Sequence, residues 1–349
     1  MTTPAAQLAT PGATNRLGVA LVGFGRWGAN HARTISSSPA TRLVGVADAS
    51  ADRRAEAVAR YGVPVHADID SMLQDVQVEA LVIASPMPTH VPITRRAIAS
   101  GRHVLIEKPA ATATAQVDEL ISLAETHDVR LSVGHTFLYA QPIRNIDRWL
   151  RRSAPSEPWL IRSERLGGSR RPDCDVLWNL APHDVSILLH LMRQPAVEVS
   201  ARGHSFPGGR DWDTMTVDIR FSSGARGEIY VGWRHSGAKR SLRVLGKDWG
   251  LSYRQARGGD YLKSSLHVEG PGAGETRADD LYRDCERGSP DTITGYREPL
   301  LVELEEFAAA CRTGIPTVTG PAHLRAVTAI LEACARSAAE GGRLVEPDC

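Results

Sequence analysis

The stretch LGVALVGFGRWG, residues 17–28, decides the fold. Its first six residues form an apolar run of the kind a strand shows when both faces of its sheet are covered. That run breaks directly into Gly23-Phe24-Gly25-Arg26-Trp27-Gly28, a G-x-G-x-x-G. Glycines at this spacing permit a tight turn and bring the backbone close to a pyrophosphate, which then rests on the positive N-terminal end of the following helix. Twenty residues beyond Gly28, Asp48 closes the next apolar run, TRLVGVAD. A carboxylate there accepts hydrogen bonds from ribose hydroxyls and repels a 2′-phosphate, so NAD is favoured over NADP. Arg53 and Arg54 follow at once and leave open a phosphate contact from the next helix.

Outward from this stretch, EALVIASP, HVLIEKP and RLSVGHT repeat the strand texture. They alternate with ASADRRAEAVARYG, HVPITRRAIASG and TATAQVDELISLAETHD, whose apolar residues recur at helical spacing. The alternation predicts a Rossmann-type, doubly wound parallel sheet over residues 16–137, preceded by a flexible tail, 1–15. After residue 137 come PWLIRSERL, AVEVSARGHSF, TMTVDIRF, ARGEIYVGW and SLRVLG, strands with little helix between them. Turns such as Ser222-Ser223-Gly224 join some of them. An α+β domain with a large, mostly antiparallel sheet is expected over 138–349, closed by helices near 299–312 and 320–339.

The chain's 349 residues exceed the usual size of one core. Its 41 basic and 40 acidic residues leave a formal charge of +1, without the basic excess that marks a nucleic-acid partner. The five cysteines, Cys174, Cys285, Cys311, Cys334 and Cys349, are widely spaced, which indicates neither a disulfide frame nor a zinc site. No run approaches the ~20 apolar residues of a membrane span, and the opening residues lack a signal-peptide core. The expectation is a cytoplasmic protein with a small-molecule ligand, no membrane partner and no metal.

Lys108 stands at the carboxyl end of HVLIE, the sheet edge where ligands bind in open α/β folds. Taken singly it reads as a solvated charge. The triplet Glu107-Lys108-Pro109, with GFGRWGAN and the order of the domains, resembles the glucose–fructose oxidoreductase/inositol dehydrogenase (Gfo/Idh/MocA) family. In that family an E-K-P triplet closes a Rossmann strand and its lysine points at the substrate. GHTFLYAQP (134–142) and DVLWNLAPHDVSILLHL (175–191) resemble the subset acting on sugars, often nucleotide-linked ones.

The resemblance implies an acid, three residues and then a proton-exchanging histidine; here those positions hold Asn179 and His183. Asparagine can hydrogen-bond to the imidazole but cannot stabilise its charged form, so Lys108 is expected to carry more of the proton transfer. Asp184 is adjacent to His183 but does not share its helical face. Pro182 suits the first residue of a helix, with Asn179 in the turn before it; a longer helix kinked at Pro182 is the alternative.

The family's cofactor wall maps onto Gly23, Phe24, Gly25, Arg26, Trp27, Gly28, Asp48, Ser85, Pro86, His90, Glu107 and Lys108. Turn and cap chemistry accounts equally well for Ser85, Pro86 and His90. Arg162, Arg165, Arg170 and Arg171 precede the histidine motif, where solvation is their default and a phosphate fork the functional reading. Arg165 and Tyr139 are candidate substrate contacts, and Tyr139 reads equally as a packed aromatic.

The reaction implied is hydride transfer between a secondary sugar carbinol and nicotinamide, giving a ketosugar. A ketosugar or aminocyclitol reductase, or a noncatalytic NAD sensor, are the alternatives. The resemblance also suggests a cis Lys108–Pro109 bond and a homodimer or homotetramer built on the second sheet. TMTVDIRF and EIYVGW alternate less cleanly than strands with one wet face should.

Overall fold

The computed structural model describes residues 16–168, 170–207, 209, 211–235, 237–255, 265–269 and 297–348. The expected tail, Cys285 and Cys349 lie outside them. The first unit runs β1 (Leu17–Val22), α1 (Arg26–Ser37), β2 (Thr41–Ala47), α2 (Ala51–Tyr61), β3 (Val65–His66), α3 (Ile69–Leu73), β4 (Ala80–Ile83), α4 (His90–Ala99), β5 (His103–Glu107), α5 (Thr114–Thr126) and β6 (Leu131–Gly134). Its strands pair in the order β3-β2-β1-β4-β5-β6, all parallel. The chain reverses direction across the sheet between β1 and β4, opening a crevice at their carboxyl ends. β1 is buried along its whole length, as its unbroken apolar run requires. Ser50 caps α2 by accepting from Arg53 N, and Gly62, at φ 63°, ends it in the left-handed region.

The second sheet comprises β7 (Leu160–Leu166), β8 (Ala196–His204), β9 (Thr214–Phe221), β10 (Arg226–Gly232), β11 (Lys239–Leu245), β12 (Gly250–Gln255) and β13 (Ser265–Glu269). The order is β13-β12-β11-β7-β10-β9-β8, with only the central β7–β10 pair parallel. α6 (Gln141–Arg152), α7 (Val176–Met192), α8 (Pro299–Thr313) and α9 (Pro321–Ala339) complete the described elements. Val217, Ile219 and Val231 of the inner face share one core with Val185 and Leu188 of α7 and with Ile330 and Leu331 of α9. Burial of each such side chain is worth roughly 1.5–3 kcal/mol.

The outer face corrects the expectation of blurred alternation. Inward residues of β9 are buried in strict turn with exposed or half-buried ones. Outward positions carry the cross-strand pairs Arg162–Glu228, Arg226–Asp218, Arg220–Glu198 and Lys239–Glu164. The apolar residues in these strands that suggested two dry faces point to one.

One further feature was not legible locally, and a second decides between the two helix alternatives at Pro182 in favour of the longer one. α8 returns to the first unit: Leu304, Phe307 and Ala308 pack in one core with Leu17, Val19 and Leu21 of β1. α7 begins at Asp175, whose side chain accepts from Trp178 N, and Pro182 lies inside it. The longer helix forms because Asp175 supplies the cap while apolar residues on both sides of Pro182 are buried in the same core.

Candidate active site

The glycine loop has the shape a pyrophosphate needs. Gly23 sits at φ 91°, and a Cβ there would meet Ser85 N at 2.7 Å. A Cβ on Gly28 would lie 2.0 Å from the Gly23 carbonyl oxygen, so helix and turn can approach only without one. At Gly25, the residue before α1, a Cβ would meet nothing within 4 Å. The backbone there faces open space at a helix N-terminus, which fits a dinucleotide phosphate.

Asp48 is fixed at the end of β2 by Phe24 N, which donates to its Oδ2 (2.6 Å), and by Ser50 N, which donates to Oδ1 (2.8 Å). The Phe24 ring points away into the core against Tyr61, leaving only its backbone at the loop. Arg53 pairs with Glu56, and Arg54 donates to the carbonyls of Asp48 and Ala49. Both arginines thus have partners within their own segment.

The next layer joins three turns. Ser85 shares a hydrogen bond with Thr89, and Pro86 is exposed beside it. His90 is buried; its ring nitrogens lie 2.8 Å from the Pro109 carbonyl and 2.9 Å from that of Ser85. His90 therefore fastens the turn after β4 to the turn after β5 and does not itself line the crevice. The Lys108–Pro109 bond is cis. Glu107 accepts from Trp27 Nε1 and bonds to His31 Nε2 at 2.8 Å. Trp27 and His31 are four residues apart on α1, hence on one face. Burial pushes the Glu107 carboxyl up, but His31, Lys108 and Trp27 outweigh it and hold it below the usual carboxylate range. Arg26 is exposed on the first turn of α1.

Across the crevice, Lys108 Nζ donates to the main-chain carbonyl of Asn179 at 2.7 Å. Pro182 has no N–H to donate to the carbonyl of Trp178, the residue before Asn179 on α7. Asn179 thus meets Lys108 through its backbone. Burial pulls the Lys108 ammonium down to about 8, against the opposing pull of Glu107. His183 is held well below the ordinary histidine value by burial and then by the charges of Lys108 and Arg165. Its ring meets Phe137 edge-on at 4.8 Å, and its buried Nδ1 has no partner among the described residues.

Arg165 is not available to substrate. It is buried, donates to Asp184 from Nε (2.7 Å) and lies over the Phe137 ring. Asp184 also accepts from Ser163, so it does not replace the missing carboxylate beside His183. Tyr139 is likewise a packed aromatic, 2% exposed, with its hydroxyl 2.9 Å from Thr319 Oγ1. Arg171, held by Asp173, is exposed and close enough to act electrostatically on Lys108 and Glu107. Arg162 and Arg170 pair with Glu228 and Asp211.

Sequence reasoning missed His31, His135, Phe137 and Glu303. The i, i+4 spacing of Trp27 and His31 was a usable signal. His135 is buried just past β6 with neither ring nitrogen partnered among the described residues. Glu303 on α8 is buried, accepts from Thr136 through Oε2, and has no described partner at Oε1. Burial, reinforced by Glu107, raises its carboxyl well above the usual range.

A glycine loop open at a helix N-terminus, a carboxylate at the end of β2 and a lysine at the same sheet edge are the features of an NAD-binding Rossmann fold. The chain belongs to the Gfo/Idh/MocA family. The model of an oxidoreductase family with an NAD-binding Rossmann fold matches residues 17–135, and that of the GFO/IDH/MocA C-terminal domain matches 143–251. It is 28% identical over 315 residues to UDP-N-acetylglucosamine 3-dehydrogenase of Acidithiobacillus ferrooxidans, covering 89% of this chain and 94% of that one. Myo-inositol 2-dehydrogenase of Thermotoga maritima is 24% identical, with 86% and 89% covered. The crystal structure of GenD2 from gentamicin A biosynthesis in complex with NAD superposes with a TM-score of 0.78 at 26% identity, covering 98% of this chain and 100% of that one. Among the described residues no helix is long and apolar enough to cross a membrane.

Proposed function

We propose that this chain is an NAD-dependent sugar dehydrogenase that oxidises a secondary hydroxyl of a nucleotide-linked or amino sugar to a ketone. The observation that carries the reading is Lys108, held on the Asn179 carbonyl beside His183 at the ligand-binding edge of the Rossmann sheet. Likeness along most of its length to a UDP-N-acetylglucosamine 3-dehydrogenase supports the substrate class.

NAD, when bound, supplies the hydride acceptor. Lys108, with its value near 8, remains mostly an ammonium at neutral pH and donates to the sugar oxygen as negative charge develops there. His183, kept neutral by burial and by Lys108, takes the hydroxyl proton. Holding both groups on a strand end and a helix provides orientation that loops would not. Arg171, at the mouth, replaces Arg165 as the residue for a substrate phosphate. Ketone reduction is the second reading, because a protonated Lys108 is equally placed to give a proton to a carbonyl oxygen. A sensor would need neither group.

The test is incubation with NAD and a panel of free, phosphorylated and nucleotide-linked sugars, following reduced cofactor by absorbance. NADH is expected with a nucleotide-linked or amino sugar; none with any member would sink the reading. We also infer a homodimer or homotetramer formed on the outer face of the second sheet. Its exposed Tyr230 lies amid charge pairs whose two signs can pair with a second copy. A monomer mass by light scattering at micromolar concentration would contradict it.

A further inference from the structure

We infer that His135 and His323 form a proton path from the Lys108–His183 pocket to the protein surface. The inference rests on the reading of Lys108 and His183 as the proton-exchanging pair.

Three observations place the path. Strands β5 and β6 pair in register at Glu107 and Gly134, so Lys108 and His135 leave neighbouring strands at the same level. Such strands run about 4.8 Å apart. The His135 ring then meets the His323 ring edge-on, with centroids 5.5 Å apart and planes at 84°. Finally, His323 lies in the first turn of α9, is only half-buried, and is anchored by Ser186 Oγ of α7, 2.8 Å from its Nε2.

A histidine kept only for packing normally has its buried nitrogens bonded. His135 is 2% exposed, yet neither nitrogen has a partner among the described residues. Both remain available to exchange a proton. The groups acting on His135 are His323 on one side and Lys108 on the other, and burial with these keeps it neutral. Burial, then His190, lowers His323 to about 4.

Each oxidation leaves one proton in the pocket once the hydroxyl O–H bond breaks. A neutral imidazole accepts a proton on one nitrogen and releases the other proton from its second nitrogen. His135 takes the proton that His183 accepted from the hydroxyl, and passes it across the edge-on ring contact to His323, a gap that no hydrogen bond spans at rest; His323 releases it to solvent. One proton enters and one leaves, with no change of oxidation state along the path.

The first measurement needs no turnover. In protein labelled with 15N-histidine, exchange of the His135 ring proton with D2O should slow at least several-fold in His323→Gln. Unchanged exchange overturns the path whatever the activity. The second measurement uses NADH formation: His323→Gln should lower kcat by about 10²-fold at little cost in KM, the lower end of what a positioned acid–base group contributes. Added imidazole should restore it in a saturable way. A loss that imidazole does not relieve marks a structural role and overturns the proposal. Ser186→Ala, which keeps the imidazole but frees its anchor, should give a smaller loss with the same rescue. An unmutated protein whose His135 exchanges normally but which forms no NADH breaks the reading of the site, and the path's catalytic role falls with it.

Discussion

The two walls of the crevice carry buried and half-buried polar groups in opposite condition. On the nucleotide side they are tied down: Asp48 by Phe24 and Ser50, Glu107 by His31 and Trp27, His90 by two carbonyls. On the side formed by α7, α8 and the turn after β6, His183 Nδ1, both nitrogens of His135 and one oxygen of Glu303 have no partner among the described residues. An unmet buried polar atom costs roughly 1–3 kcal/mol, so a fold keeps several together only where something offsets the cost. The saturated wall is preorganised to hold a cofactor in one geometry. In the mechanism proposed above, the unsaturated wall keeps donors and acceptors ready for an oxygen whose charge changes.

The largest break in this contrast should come at Lys108, the group between the walls. Lys108→Ala is expected to cut turnover by about 10²-fold or more while NAD affinity, measured by cofactor fluorescence, survives. His183→Ala should cost less, because Asn179 gives His183 no carboxylate. In the proposed mechanism the Lys108 ammonium is the active form, so kcat/KM should fall as pH rises through about 8, and Lys108→Arg should remove that limb. Near-normal turnover in the alanine variant would return Lys108 to a structural role.

The two buried glutamates sharpen the comparison at the next level. Glu107 has a depressed folded value; its contribution to stability is present above the unfolded value and is lost as pH falls through the folded one. Glu303 has a raised value, so its contribution is complete below the unfolded value and is lost as pH rises through the folded one. Glu107→Gln should therefore cost about 1–3 kcal/mol at neutral pH and flatten the acid side of the stability curve. Glu303→Gln keeps the acceptor for Thr136 and should stay within about 1 kcal/mol, flattening the alkaline side. Denaturant midpoints over a pH series decide it; the reverse ranking would remove the contrast between the walls.

The smallest effect is expected at the far end of the saturated wall. Asp48→Ala should narrow the preference for NAD over NADP by about tenfold, some 1.4 kcal/mol, read from the two dissociation constants. Equal affinities in the unmutated protein would show that the Asp48 charge does not select the cofactor.

Much of the nucleotide wall was legible because its parts are local. Gly23, Gly25 and Gly28 lie within six residues, and the constraints on them come from a single turn and the helix it feeds. Periodicity likewise reported the strands on either side, since a strand covered on both faces must be apolar throughout. Lys108 and His183 were reachable only through resemblance, as a lysine before proline has no chemistry of its own. Arg165 was misread, and Tyr139 left open between substrate contact and packing, for the converse reason: their polar ends suggested a ligand, and Asp184 and Thr319, distant or unmarked in sequence, took those ends instead.

By itself, then, the sequence determined the Rossmann sheet, its glycine loop, the acid at Asp48 and the largely antiparallel sheet that follows. Each is set by side-chain period or by backbone freedom over a few residues. Only the tertiary structure decided which polar atoms are satisfied. It carried α8 back against β1, bringing Glu303 to Thr136; it placed His135 between Lys108 and His323; and it turned the Asn179 carbonyl to Lys108. Burial and partnership depend on groups far apart in sequence, as where Thr136 meets Glu303, 167 residues away, and no local pattern encodes the desolvation that sets their charge.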